Sequence, residues 1–176
     1  MINYTDIGIN TLLPHECTFL ESFMYDEDYM SRPVAFGDEA NVYIFERLAI
    51  KYRRYAMNLT NEIKAQQLMA SVSDNFLPVY AYGENFIVMP WVAGTILEEL
   101  NPSSDWLKQL ASELAPAFVQ AGVEPKDLHQ GNVIIDYSGK AYVIDLSRYF
   151  IYSGTDSKYI PPLHEMEEHV YNSLEA

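Results

Sequence analysis

Asp127, Asn132 and Asp145 are three oxygen-bearing side chains grouped around two short runs, Val133 to Ile135 and Tyr142 to Ile144. The β-branched residues of these runs and the Ser138-Gly139 pair between them predict a hairpin. Such a hairpin would bring Asn132 and Asp145 together in space. A hard cation such as Mg²⁺ prefers oxygen ligands of this kind, with phosphates completing its shell. Asp127, five residues before Asn132, would lie across the same cleft and could accept a proton. A base that orients a nucleophile, with ligands that set a metal on phosphates, is what phosphoryl transfer needs. Asp and Asn are also ordinary residues at strand ends, so these three alone are only suggestive.

A second group stands upstream. Gly37-Asp38-Glu39-Ala40-Asn41-Val42-Tyr43 precedes Leu48-Ala49-Ile50-Lys51. A glycine turn between strands lets backbone amides approach phosphates, and a lysine on the next strand can reach them. Glu62 precedes Ala65, Met69 and Val72 by three, seven and ten residues, which puts it on the buried face of a helix. A carboxylate there is costly unless paired, and Lys51 is the partner that the element order offers.

The elements that must hold these residues follow from periodicity. Leu13, Cys17, Leu20 and Met24 recur at helical spacing beside Pro14, a good first-turn residue. The acidic stretch from Tyr25 to Tyr29 reads as a solvated connection. Five strands are expected, at Pro33 to Phe36, Asn41 to Phe45, Leu48 to Tyr52, Val79 to Tyr82 and Phe86 to Met89, with the helix of Ala65, Leu68, Met69 and Val72 between the third and fourth. Ser103 or Ser104 can cap a helix whose stripe is Leu107, Leu110, Leu114 and Phe118, with Gly122 as its stop. Pro116 should kink or shorten it. Pro161 and Pro162 open a last helix with Leu163, Met166, Val170, Tyr171 and Leu174 inward. An α+β protein of two small lobes is the simplest reading.

Composition bounds the partners. Of 176 residues, 49% are apolar, enough for a real core, and 11 Lys and Arg against 25 Asp and Glu give a net charge of −14. That field disfavours general nucleic-acid binding. The longest apolar run, Phe86 to Gly94, is far below the ~20 residues a membrane span needs, so no membrane partner is expected. The first residues show no signal-like pattern, and the lone Cys17 suits a reducing compartment. A cytoplasmic location is the expectation. His164 and His169 are five apart, about 140° around a helix, and cannot share a metal as an i, i+4 pair does. His129 reads as a hydrogen-bonder that steadies its loop rather than as a base.

On these residues the chain resembles the protein-kinase-like superfamily, and looks most like a minimal RIO-type atypical kinase. Gly37 to Tyr43 with Leu48 to Lys51 is similar to the RIO phosphate-loop pattern "GxEANVY…LAIK". Asp127-Leu128 with Asn132 resembles the D-L-x-x-x-N catalytic loop, and Ile144-Asp145-Leu146-Ser147 resembles the metal loop "IDVS". Met89 to Gly94 occupies the place of the hinge, and the likeness runs from about Arg32 to Tyr149. His129-Gln130-Gly131 is closer to the D-L-H-x-G-N loop of aminoglycoside and choline phosphotransferases, and Pro125-Lys126 stands where a His-Arg or His-Gly would precede Asp127.

The resemblance implies a minimal two-lobed kinase-like fold. Residues 1–31 would be an N-terminal helical extension, 32–92 a five-stranded N-lobe with one helix, and 93–176 a reduced helical C-lobe, since only 31 residues follow Asp145. It further implies ATP and Mg²⁺ as cofactors. Lys51 would hold the phosphates and Glu62 the lysine. Asp127 would be the base, with Asn132 and Asp145 on the metal. Gly37, Ala40, Val42, Ala49, Met89, Pro90 and Val92 would line the nucleotide, the Pro90 carbonyl accepting from adenine and the Val92 N–H donating. The expected activity is phosphotransfer to a protein Ser or Thr, or an ATPase switch. An ATP-binding pseudokinase module and a small-molecule phosphotransferase are the alternatives.

Overall fold

In the computed structural model, which describes residues 1–36, 40–54, 59–146, 148–152 and 160–176, the chain divides into two units. One comprises residues 1–63 and 78–92, the other residues 64–77 and 93–176. The first begins with strand β1 (Asn3–Tyr4) and helices α1 (Asp6–Thr11), α2 (Pro14–Ser22) and α3 (Glu27–Met30). Strands β2 (Ala35–Phe36), β3 (Ala40–Phe45) and β4 (Leu48–Arg53) come next. Helix α4 (Thr60–Val72) passes from the first unit into the second, and β5 (Ala81–Tyr82) and β6 (Phe86–Pro90) return to the first. Together these strands make an antiparallel six-stranded sheet in the order β1-β5-β6-β4-β3-β2. Sequence patterning gives five of the strands. The sixth, β1, is two residues long, below the length at which alternation can be read, and it comes from the stretch expected to be purely helical.

Register sorts the side chains of this sheet into two faces. Val42 lies opposite Lys51, Ile44 opposite Ala49, and Ala49 opposite Met89. Directly opposed residues share a face and neighbours along a strand alternate. Tyr43, Leu48, Ile50, Phe86 and Val88 therefore lie on the other face, where they bury against Leu20 and Phe23. The ring of Phe23 meets Phe86 edge-on at 5.2 Å, and Phe19 stacks on Phe45. Residues expected as an extension thus supply half of a core. The acidic connection is also ordered: Asp26 accepts from the Tyr29 N–H at 3.0 Å and caps α3, whose Tyr29 hydroxyl donates to the Ile44 carbonyl. Short polar residues that cap a helix and those that solvate a loop look alike in sequence.

The second unit is built on two helices. After its share of α4 it continues with β7 (Gly94–Ile96) and α5 (Ser104–Ala121), then β8 (Val123–Pro125), β9 (Val133–Asp136), β10 (Ala141–Val143), β11 (Tyr149–Ile151) and α6 (Leu163–Glu175). The Ser103 hydroxyl accepts from the Trp106 N–H to cap α5, and Gly122, at φ 64°, ends it in the left-handed region that glycine enters without a Cβ clash. Leu107, Leu110, Leu114 and Phe118 are buried as the stripe requires, and the helix runs through Pro116 to Ala121. Met166, Val170 and Leu174 of α6 join the same core. Leu163, expected inward, is 44% exposed because it occupies the first helical position, where the stripe has not yet turned to the core. The hairpin β9–β10 forms as expected and is joined by β7, while β8 pairs with β11. No helix among the described residues is long and apolar enough to cross a membrane.

One buried charge fastens α2 to the sheet. Both Glu16 oxygens accept from the Arg47 guanidinium at 2.8 Å, one of them also accepts from the Leu13 N–H, and Arg47 donates to the Thr11 carbonyl. Burial alone would raise the Glu16 carboxyl, but these donors outweigh it and hold the group below its ordinary 4.5. A lowered folded value means that the stabilisation is complete above 4.5 and is lost as the pH falls through that folded value. Glu16→Gln is expected to cost about 2 kcal/mol in urea unfolding at neutral pH and much less at about pH 3. An equal deficit at both would contradict this account.

Candidate active site

Lys51 and Glu62 meet inside the first unit. The Lys51 ammonium lies 2.9 Å from Oε1 of Glu62, and both side chains are buried. Lys51 is carried by β4 and Glu62 by the first turn of α4, where the helix dipole favours a carboxylate. The second carboxylate oxygen, Oε2, accepts from the Arg53 guanidinium at 2.6 Å. Ala40, Val42, Ala49 and Met89 share the sheet face of Lys51 by register, so four expected nucleotide-lining residues lie on one surface with the lysine. Pro90 ends β6 and Val92 is half-buried. Between them, the Trp91 N–H donates to the Arg47 carbonyl at 2.8 Å, which leaves Val92 as the next donor along this stretch. Gly37 and the turn it was expected to form lie outside the described residues.

The second unit holds the other three. Asn132 donates from Nδ2 to the Asp127 carbonyl at 2.9 Å, which closes the loop between them. Since the amide donor is used internally, the side-chain oxygen is what Asn132 offers a cation. Val133 pairs with Val143, and the Ile144 N–H donates to the Asn132 carbonyl at 2.9 Å, so Asp145 follows directly on a residue tied to Asn132. The Asp127 carboxylate is 43% exposed, with Arg148 Nε 3.9 Å from Oδ2. His129 accepts at Nδ1 from the Gly131 N–H at 3.1 Å, as its expected role of steadying the loop requires. The Asp145 carboxylate and the Asn132 amide oxygen suit Mg²⁺, and the solvent-accessible Asp127 carboxylate suits proton transfer.

No family model matches the chain. A Bacillus subtilis (strain 168) protein called "Putative serine/threonine-protein kinase YrzF" is 26% identical over 127 residues, 64% of this chain. This chain spans 58% of that relative's length. Among solved structures, the Rv3197–erythromycin complex from Mycobacterium tuberculosis superposes at TM-score 0.54 over 68% of this chain and 46% of that one, at 15% identity. The crystal structure of WbdD superposes at TM-score 0.50 over 64% of this chain and 31% of that one, at 23% identity. The chain has a kinase-like α+β fold.

Support for the Asp127 loop comes from residues to which sequence reasoning gave other readings or none. The Lys126 N–H donates to the Arg148 carbonyl, His169 Nε2 contacts the Pro125 carbonyl at 2.7 Å, and Gln130 donates to the Leu174 carbonyl at 2.7 Å. Next door, Glu124 accepts from Lys126 and Tyr152. Burial would raise the Glu124 carboxyl, but these donors hold it low, while burial and the same carboxylate push the Tyr152 hydroxyl up to about 12. Arg53 had one readable signal, its spacing of two from Lys51 on a strand.

Gly131 tests the loop. A Cβ there would sit 2.9 Å from Cε1 and 3.0 Å from Nδ1 of His129. Gly131→Ala is expected to destabilise by about 1–2 kcal/mol in thermal or urea unfolding, and to cost clearly less in a His129→Ala background. Additive losses would show that the His129 ring does not set this constraint.

Proposed function

We propose that the protein is an ATP- and Mg²⁺-dependent phosphotransferase of minimal RIO-like type, acting on a protein Ser or Thr hydroxyl. The observation that carries this reading is the buried Lys51–Glu62 pair at 2.9 Å, because a buried lysine held by one carboxylate is suited to receiving phosphate oxygens. The minimal two-lobed architecture implied by the motifs belongs to the same proposal. The kinase name of the Bacillus subtilis relative supports the general chemistry.

ATP would supply the phosphoryl group and Mg²⁺ would neutralise its charge. The chain's own residues do the rest. Lys51 binds phosphate oxygens, and Glu62 keeps that lysine in place. Asn132 and Asp145 would hold the metal through oxygen. Asp127 takes the proton of the attacking hydroxyl as the new P–O bond forms and the bond to ADP breaks. The half-exposed Asp127 carboxylate is accessible to an incoming hydroxyl.

A second acceptor class has its own support. The Asp127-Leu128-His129-Gln130-Gly131-Asn132 loop resembles that of small-molecule phosphotransferases, and one structural neighbour was solved with erythromycin. A panel of protein, sugar and amino-alcohol acceptors with labelled ATP separates the two, since only one class should take up label.

Asp127→Ala is expected to keep MgATP affinity within a few fold while turnover falls by ~100-fold or more, the scale of general-base contributions. Asp145→Ala should lose metal-dependent binding as well. Nucleotide binding is read as the rise in melting temperature with MgATP. Wild-type turnover in Asp127→Ala would remove Asp127 as the base, whereas MgATP binding with no turnover in the wild type would favour an ATP-binding pseudokinase.

A further inference from the structure

We propose that Arg53 is a positioning residue of the nucleotide site: it anchors Glu62, so that Lys51 can turn to a polyphosphate without stranding a buried carboxylate. The nucleotide half of this inference rests on the phosphotransferase reading; the anchor half does not.

Glu62 has one oxygen on each cation, Oε1 on Lys51 at 2.9 Å and Oε2 on Arg53 at 2.6 Å. Lys51 and Arg53 are two apart on β4 and point to the same face. The two cations are not equivalent. A guanidinium is planar, always charged and weakly hydrated, which suits a fixed buried pair, whereas an ammonium is a strongly hydrated point charge on a flexible stem. Exposure follows that division: the Arg53 side chain is 2% exposed and that of Lys51 10%. The backbone of Arg53 is fixed as well, its N–H donating to the Asn85 carbonyl at 2.7 Å and its Cα paired with Ala40.

Phosphate oxygens would compete with Glu62 for the donors of Lys51. With lysine as its one cation, Glu62 would then be a buried carboxylate with a weakened partner, which is strongly unfavourable. Arg53 removes that penalty by keeping Glu62 compensated. It acts through Glu62 and need not touch the nucleotide.

The test uses the full chain and the variants Arg53→Met, Arg53→Lys and Lys51→Met, alone and combined with Glu62→Gln. Arg53→Met should raise the KM for MgATP by about tenfold with a smaller change in kcat, and Arg53→Lys should recover most of it. Urea unfolding should show stronger coupling between Arg53 and Glu62 than between Lys51 and Glu62. If Arg53→Met does not fold, Arg53→Gln takes its place with the same expectation, since it keeps an N–H but no charge. Wild-type KM and kcat in a folded Arg53 variant, or additive losses in the Arg53–Glu62 cycle, would overturn the proposal. A wild type that neither binds nor turns over MgATP would sink the phosphotransferase reading and the nucleotide half with it, and the cycle would still decide the anchor.

Discussion

A carboxylate buried against a β-sheet is a constraint on everything around it. Glu62 loses its hydration on folding and must recover it from cations placed at both oxygens. Lys51 and Arg53 satisfy that requirement only while they sit on the same face of β4. A slip of one residue in the β4 register would turn both to the opposite face, into the aromatic cluster of Tyr43 and Phe86. The pairing of β3, β4 and β6, the entry of α4 at Thr60 and the apolar surface of Ala40, Val42, Ala49 and Met89 are therefore coupled to one charge.

The sheet answers that constraint with strongly differentiated faces. One carries the charged pair among small and mid-sized residues, the other the rings of Tyr43, Phe45 and Phe86. The charged face carries Lys51 and Arg53 against Glu62, and the aromatic face takes the N-terminal helices. Glu16 and Arg47 repeat the logic at the edge of the aromatic face, where a buried carboxylate again meets an arginine fork. Arg47 also accepts the Trp91 N–H at its carbonyl, so the residue that fastens α2 also fixes the strand exit after β6.

Much of this was legible in the sequence because its signals are periodic or paired. Five strands of the first sheet, α2, α4, α5, α6 and the β9–β10 hairpin all follow from spacing, and the Lys51–Glu62 pair followed from a carboxylate on a buried helical stripe. Four short strands outside any expected run were not legible, although β2 and β5, no longer than these, stood inside expected runs of four residues. β1, β7, β8 and β11 are too short to alternate and exist because a neighbouring backbone offers hydrogen bonds, as Gly94 does by approaching Ile135 closely. The role of residues 1–31 stayed open for a related reason: helical spacing shows that a face is apolar but not what covers it. Arg53 was missed because the expected strand ended at Tyr52, and a charged residue just past a strand usually reads as solvated.

The Asp127 loop shows how the absence of one support is made good by others. Pro125-Lys126 precede Asp127, so no histidine or arginine side chain braces the loop from its own N-terminal side. Its backbone is braced instead. β8 leads into it already paired to β11, with Pro125 opposite Tyr149, and Lys126 extends that pairing to the Arg148 carbonyl. His169 of α6 reaches the Pro125 carbonyl just before the loop, and Gln130 reaches from within it to the Leu174 carbonyl at the end of the same helix. Both bonds depend on where α6 lies, and α6 is set by Met166, Val170 and Leu174 in the core it shares with α5. Apolar packing of one helix thus fixes the approach to Asp127 from one side. The Asn132 amide, bonded to the Asp127 carbonyl, fixes it from the other. A residue held through its backbone keeps its side chain available, and the Asp127 carboxylate is 43% exposed.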